Sequence, residues 1–157
     1  PAAGLYAGIA ALGYQGAYGL AQLVDNSVMP PAVRGEYAVL LPRVDADGNA
    51  IAGGRGVALE VPRATYTGWN PRAEGFAAGV LCYNTGAVLP FAATRAERDA
   101  ARDPRLSIEE RYATQGDYVT AVRSAAERLV AERLMLAEDL EAVVSAARAD
   151  TLARLRR

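Results

Sequence analysis

The sequence predicts an α+β fold, with short strands and a hairpin in the first half and helices in the second half. Thirteen of the 15 glycines lie before residue 80 and seven of the eight prolines lie before residue 91, which is typical of short strands joined by structured loops. From residue 94 onward, apolar residues recur at helical spacing. The length of 157 residues suits one domain. We therefore predict a single segment with a strand-and-loop part, residues 1–93, and a helical part, residues 94–157.

Two short apolar runs in the first part predict strands, at residues 37–42 and 57–61. Asp47 and Gly48 lie between them. Asp-Gly is a favoured pair for a tight hairpin turn, because both central positions tolerate positive φ. The sequence therefore predicts a turn over residues 45–49.

The same turn offers the oxygen ligands of Asp45, Asp47 and Asn49, so an irregular cation site is an alternative interpretation. The spacing does not match an EF-hand, which needs glycine at loop position six and glutamate at position twelve. Counted from Asp45, those positions hold Ala50 and Gly56. We favour the turn and predict no metal or other cofactor.

The helical part opens with two capping-box patterns, in which a hydroxyl residue precedes a glutamate by three positions. Thr94 and Glu97 form the first pattern and predict a short helix that ends before Asp103, because a residue preceding proline avoids the α region. Ser107 and Glu110 form the second.

Two longer helices follow, predicted at residues 117–134 and 138–154. The first carries an apolar stripe with a period near 3.6 residues, which we assign to Tyr118, Val122, Ala125, Ala126, Leu129, Val130 and Arg133. The second carries Leu140, Val143, Val144, Ala147 and Leu152. Arginines gather near its C-terminal end, where cations complement the helix dipole: Arg148, Arg154, Arg156 and Arg157.

The composition excludes several classes of function for this chain. Histidine and lysine are absent, and all 17 basic residues are arginine. Without histidine the chain holds no Ser-His-Asp or Cys-His nucleophile pair and no histidine-ligated metal. The net charge is −1 and opposite charges are mixed along the chain, so we predict no nucleic-acid-binding face. Cys82 is the single cysteine, and an apolar setting predicts a buried structural thiol whose role stays open.

The first 24 residues are rich in alanine, glycine, leucine and tyrosine, but glycine interrupts them five times. They contain no basic n-region and no apolar run of the roughly 20 residues that a membrane span needs, so we predict neither a signal peptide nor a membrane span. The sequence starts at Pro1, which we attribute to processing or to truncation. The cellular compartment stays open.

No motif of nucleophilic or phosphate chemistry is present. Gly-x-Ser-x-Gly and the phosphate-binding lysine loop are both missing, and the four serines lie in predicted loops, caps or helices. Carboxylates such as Asp99 and Asp103 lie among arginines, which favours ion pairs on a solvated face. The segment around the single tryptophan is the best candidate for a substrate pocket wall, although we favour a core plug for it: Tyr66, Thr67, Trp69 and Asn70.

The chain resembles the C-terminal region of the bacterial proteins described as alpha/beta-hydrolase-domain-containing, a family of presumed esterases. The blocks that carry the resemblance span about residues 33–140. They include Val44-Asp45-Ala46-Asp47-Gly48-Asn49, Thr65-Tyr66-Thr67-Gly68-Trp69-Asn70, Leu81-Cys82, Pro90-Phe91-Ala92, Asp103-Pro104-Arg105, Glu109-Glu110-Arg111-Tyr112 and Glu132-Arg133.

The resemblance implies the C-terminal part of an α/β-hydrolase-type protein, whose serine, acid and histidine lie upstream of these blocks. No catalytic residue therefore transfers to this chain. We expect a C-terminal chain or fragment of a serine carboxylic-ester hydrolase that completes the fold against a separate catalytic portion, with the pocket for a small ester as a further expected role. The alternative is a non-catalytic structural or interaction subunit, favoured by the uncharged N-terminal stretch.

Overall fold

The computed structural model describes residues 22–36, 43–71, 75, 81–82 and 85–150. Its strands are β1 (Gln22–Asp25), β2 (Ala32–Glu36), β3 (Ala64–Thr67), β4 (Asn70–Pro71), β5 (Leu81–Cys82) and β6 (Ala87–Pro90). Its helices are α1 (Val57–Glu60), α2 (Arg95–Ala101), α3 (Ile108–Arg111), α4 (Gln115–Ala131) and α5 (Leu140–Ala149). All of these strands precede residue 93 and four of these helices follow it, which confirms the predicted α+β class.

The described strands form three antiparallel pairs, β1 with β2, β3 with β6 and β4 with β5. Ala64 pairs with Pro90 and Thr67 with Ala87, while Asn70 pairs with Cys82 further along. The strand β3 and the short β4 thus run antiparallel to β5 and β6. The backbone of Cys82 lies in this pairing, and the burial of its thiol stays a prediction.

Residues 57–61 form a helical turn, so the predicted strand there was wrong. Gly56 is the N-cap of α1, and the Val61 N–H donates to the carbonyl of Val57 at 2.9 Å. The apolar side chains of Val57 and Val61 then face the same way, because residues four apart share one face of a helix. That face joins the core cluster with Tyr118 and Val122 of α4. The other predicted strand, at residues 37–42, lies outside the described residues.

The predicted turn over residues 45–49 is present and joins two antiparallel segments, since the Asp45 N–H donates to the Asn49 carbonyl at 2.9 Å and the Ile51 N–H donates to the Arg43 carbonyl at 3.1 Å. The Gly48 N–H donates to the carbonyl of Asp45 at 3.1 Å, and Gly48 has a φ of 80°. Asp47 is not in the positive-φ region, so only one position uses that conformation. Among the described residues, the flanking chains share a single antiparallel bridge, between Val44 and Ala50, and no named strand.

Both predicted capping boxes are confirmed, and a third begins α4. Thr94, Ser107 and Thr114 each accept a hydrogen bond from the backbone three residues on, and the acidic side chain there reaches back. The helix α2 ends at Ala101, before Asp103 as predicted, with Arg102 in the left-handed region at a φ of 52°. These helices therefore begin at positions that local hydrogen bonding determines.

The two long helices are shorter than predicted at their C-terminal ends. The helix α4 begins at Gln115 and ends at Ala131, and a 3-10 turn over Ala137–Asp139 leads into α5. The helix α5 ends at Ala149, because Asp150 leaves helical geometry at a ψ of 85°. The arginines predicted beyond it, Arg154, Arg156 and Arg157, lie outside the described residues, as does Leu152.

The core lies where α4 packs against α5. Five residues of the predicted α4 stripe are buried, namely Tyr118, Val122, Ala125, Ala126 and Leu129. Val144 of α5 is fully buried and Ala147 is nearly so. Within the part of the chain that the structure describes, no helix is both long and apolar enough to cross a membrane.

Candidate functional site

Three residues of the predicted pocket segment belong to strands, and Trp69 lies in the short link between them. Tyr66 and Thr67 end β3, and Asn70 begins β4. The Thr67 Oγ1 donates to the Trp69 carbonyl at 2.5 Å and accepts from the Ala87 N–H at 3.1 Å. This hydroxyl therefore connects the link between β3 and β4 to strand β6.

The side chains of this segment are mostly turned inward. Trp69 is 7% exposed and Thr67 is buried as well, while Tyr66 and Asn70 are half-buried. Burial of Trp69 agrees with the core-plug interpretation. Tyr66 and Asn70 keep accessible surface, and their contact with a substrate stays a prediction.

A buried cation lies behind β3 and β6. Arg105 is 3% exposed, and its Nη1 donates to the Thr65 Oγ1 and to the Leu89 carbonyl, both at 2.9 Å. Its Nε and Nη2 donate to the carboxylate of Asp103, at 2.9 and 2.6 Å. Burial would raise the pKa of Asp103, but hydrogen bonds from Arg105 outweigh it and lower that pKa. We call these four residues the Arg105 cluster.

The turn at residues 45–49 is joined to the same strands through buried side chains. Asn49 is fully buried, its Nδ2 donates to the Ala64 carbonyl at 3.1 Å, and its Oδ1 accepts from the Tyr66 N–H at 2.8 Å. Thr65 also donates from its hydroxyl to the Asp47 carbonyl. The Asn49 amide thus satisfies backbone groups of β3 in the way a neighbouring strand would.

Arg111 connects this turn to the helical part. Its guanidinium forms a bidentate ion pair with the Asp47 carboxylate, in which Nη1 lies 2.8 Å from Oδ2. Its Cζ lies 4.2 Å from the ring centroid of Phe91, and the Cζ of Arg105 lies 5.2 Å from the same centroid. Phe91 therefore has two cation–π partners. The carboxylate of Asp47, one of the residues considered for a cation site, is paired with Arg111.

The other predicted carboxylate clusters also form ion pairs. Arg98 lies 2.7 Å from Asp99 and 3.1 Å from Glu110. A hydrogen bond from Arg98 lowers the pKa of Asp99, and hydrogen bonds from Ser107 lower the pKa of Glu110. A general acid needs a raised carboxyl pKa, so these groups are not arranged for that role. Asp103 departs from the expected solvated face, because its partner Arg105 is buried.

None of the serines has a nucleophile's surroundings. The Ser27 hydroxyl donates to Asp25 at 2.6 Å, and the Ser107 hydroxyl donates to Glu110 at 2.7 Å. Ser124 and Ser145 are exposed within α4 and α5. The sequence offers no histidine to remove a proton from any of them. Across the described ranges, no group of three Cys, Asp or Glu residues is placed to hold a metal ion.

A separate apolar cavity of about 230 Å³ opens between α1, α4 and α5. Its lining residues are Val57, Ala58, Val61, Tyr118, Val122, Val143, Ala146, Ala147 and Asp150. Asp150 forms an ion pair with Arg63, whose Cζ lies 5.3 Å from the ring centroid of Tyr118. Burial raises the pKa of the Tyr118 hydroxyl. The four residues predicted as a pocket wall do not line this cavity.

The comparison with protein families decides the assignment. A family model described as alpha/beta hydrolase domain matches residues 21–145, which is well over half of the chain. The chain belongs to the alpha/beta hydrolase domain family. No curated protein and no solved structure matches it. Membership of this hydrolase family supports a hydrolase-related function, and the match covers both the Arg105 cluster and most of the cavity residues.

The sequence did not reveal the cavity or the Arg105 cluster. Asp103, Pro104 and Arg105 stood among the blocks of the family resemblance, which was the available signal. The contact of Arg105 with Thr65 joins residues 40 positions apart. The cavity requires the packing of three helices, of which α1 was expected to be a strand.

Proposed function

We propose that this alpha/beta hydrolase segment is the C-terminal portion of a serine carboxylic-ester hydrolase and completes its fold. The nucleophilic serine, the acid and the histidine would belong to a separate catalytic portion. One observation carries the proposal: a sequence of the hydrolase family contains no histidine in 157 residues. A Ser-His-Asp mechanism needs histidine to take the serine proton and to return it to the leaving group.

The side-chain contacts support this division of roles. The donors of Arg105 are directed at Asp103, Thr65 and backbone carbonyls, and both ends of the Asn49 amide are used within the fold. Buried polar groups satisfied in this way stabilise a structure, and neither the Arg105 donors nor the Asn49 amide is available to a developing oxyanion. Attack on the ester carbonyl and stabilisation of the tetrahedral intermediate are therefore assigned to the catalytic portion.

The β1–β2 hairpin offers an apolar surface against which the catalytic portion would pack. Its apolar side chains are exposed, with Met29 at 88% and Val33 at 55% exposure. A two-stranded hairpin is marginally stable alone in water, and clustered exposed apolar residues mark interaction surfaces. We assign this hairpin to the contact with the catalytic portion, with Tyr66, Thr67, Trp69 and Asn70 as candidates for the substrate side.

The test compares ester hydrolysis by two preparations. The purified 157-residue chain, shown to be folded by circular dichroism, is expected to release no p-nitrophenol from p-nitrophenyl butyrate above the buffer rate. Native material captured through this chain is expected to hydrolyse the same ester. Sustained turnover by the chain alone would overturn the proposal.

Peptide mapping of the native material separates this function from the alternative of a structural or interaction subunit. The proposal requires peptides from a portion that carries Gly-x-Ser-x-Gly and histidine, either in the same polypeptide or in a bound one. Native material without such a portion would refute the hydrolase role and favour the structural subunit.

A further inference from the structure

The cavity between α1, α4 and α5 has the size of a small organic group. Its floor is the buried core surface of Val61, Tyr118, Val122 and Ala147, and its rim includes the exposed residues Ala58 and Ala146. An apolar cavity of about 150 Å³ is large enough to hold benzene. The volume of about 230 Å³ here therefore accommodates a phenyl ring with a short substituent.

The polar end of the cavity is formed by the acidic member of an ion pair. Asp150 is the only charged residue among the described lining residues, and Arg63 engages one of its carboxylate oxygens from outside that lining. The Asp150 side chain is 44% exposed, so it retains acceptor capacity for a further donor. A hydroxyl group on a ligand would donate there, whereas a ligand carboxylate would meet a like charge without a lining cation.

We propose that this cavity binds a small neutral alcohol with an apolar body, corresponding to the alcohol that hydrolysis of the ester substrate releases. The identification of the alcohol as the reaction product rests on the proposed hydrolase function, but the binding itself does not. Hydrolysis of an ester gives one neutral product and one anionic product, and the chemistry of this cavity favours the neutral one. The apolar body packs on the valines, and the hydroxyl donates to Asp150.

The test is a binding titration with the full chain at neutral pH, followed by amide chemical shifts in NMR. Benzyl alcohol is the probe, and benzoate is its anionic counterpart of similar shape. Two rim substitutions, Ala146→Phe and Ala58→Phe, place a ring in the cavity mouth. Ser145→Phe, at an exposed neighbouring position of α5 that does not line the cavity, is the matched control.

We expect benzyl alcohol to shift amides of α1, α4 and α5, and benzoate to bind about tenfold more weakly or not at all. Both rim variants should weaken benzyl alcohol binding by about tenfold, while Ser145→Phe leaves it unchanged. Absence of shifts at millimolar probe, equal binding of benzoate, or equal binding by the rim variants would each overturn the proposal. Since no ester hydrolysis is measured, these outcomes are independent of the test of the hydrolase role.

Discussion

Replacing Arg105 by methionine tests whether the Arg105 cluster holds the strand part and the helical part together. Methionine keeps an apolar stem of similar length but removes the guanidinium. Asp103 then loses a partner with three contacts, at 2.6 to 3.2 Å, and remains largely buried at 13% exposure. Thr65 and the Leu89 carbonyl each lose a donor at 2.9 Å.

Removing one partner of a buried ion pair costs about 3 to 5 kcal/mol, because the remaining charge is left uncompensated. In a chain of this length, that loss corresponds to a fall in Tm of roughly 6 to 20 °C. The assay is urea unfolding followed by circular dichroism, with thermal unfolding as a second measurement.

Arg95→Met is the matched control. Arg95 is 71% exposed and lies 3.7 Å from Asp99, so its loss should cost less than about 1 kcal/mol. A variant that also carries Asp103→Ala should be less destabilised than the sum of the two single variants, because no uncompensated charge remains. If Arg105→Met is no less stable than Arg95→Met, the cluster does not stabilise the fold as argued.

Three further changes test other parts of the structure by unfolding. Val144→Ala should lower the free energy of unfolding by about 2 kcal/mol because Val144 is fully buried. Val88→Ala, at a position that is 62% exposed, should lower it by less than about 0.5 kcal/mol. Equal effects of the two changes would contradict the described packing of Val144. Gly86→Ala should lower the free energy of unfolding by about 1 to 3 kcal/mol, because the new Cβ would overlap the Thr67 carbonyl. In Gly116→Ala the new Cβ would meet the Thr114 Oγ1 at an ordinary contact distance of 3.5 Å, so this change should stabilise by roughly 0.5 kcal/mol. The lowered pKa of Asp103 gives stability that is present above its ordinary pKa near 4 and is lost as the pH falls through the lower folded value. Below about pH 4, the free energy of unfolding should therefore fall more steeply with decreasing pH in the unchanged chain than in Asp103→Asn. Identical pH profiles for the two proteins would contradict this role of Asp103.

The features predicted correctly from the sequence depend on nearby residues. A hydroxyl at the N-cap and a carboxylate three residues on satisfy each other's backbone groups, so Thr94 and Ser107 identify helix starts without knowledge of the fold. The α4 stripe is equally local, because residues spaced by three or four face one side of a helix. For the same reason Gly48 was placed correctly in a turn.

The features that were missed depend on distant contacts. Residues 57–61 are too few for periodicity to separate a strand from a helical turn, and packing on α4 decides the outcome. Burial of Arg105 needs Thr65 and Leu89 from two strands, and burial of Asn49 needs the backbone of β3. An arginine or asparagine in the sequence gives no sign of such partners.

In the candidate site, too, the features that depend on composition could be predicted, whereas those that depend on distant contacts could not. The absence of histidine is a property of composition, and it limits the chemistry of the chain without any structure. The pocket prediction relied on the residue types at Tyr66 and Trp69 and stays a prediction, whereas the cavity described above lies among three helices. Small residues such as Ala146 shape that cavity, and their role becomes visible only once the helices pack.

The most direct test of the central claim is to map the serine that reacts with a fluorophosphonate in the native protein. Such probes label the activated nucleophile of serine hydrolases, which must lie beside a histidine. We predict labelling of a serine outside these 157 residues, with no label on the chain alone. Stoichiometric labelling of Ser27, Ser107, Ser124 or Ser145 would contradict the account, because it would place the nucleophile within this chain.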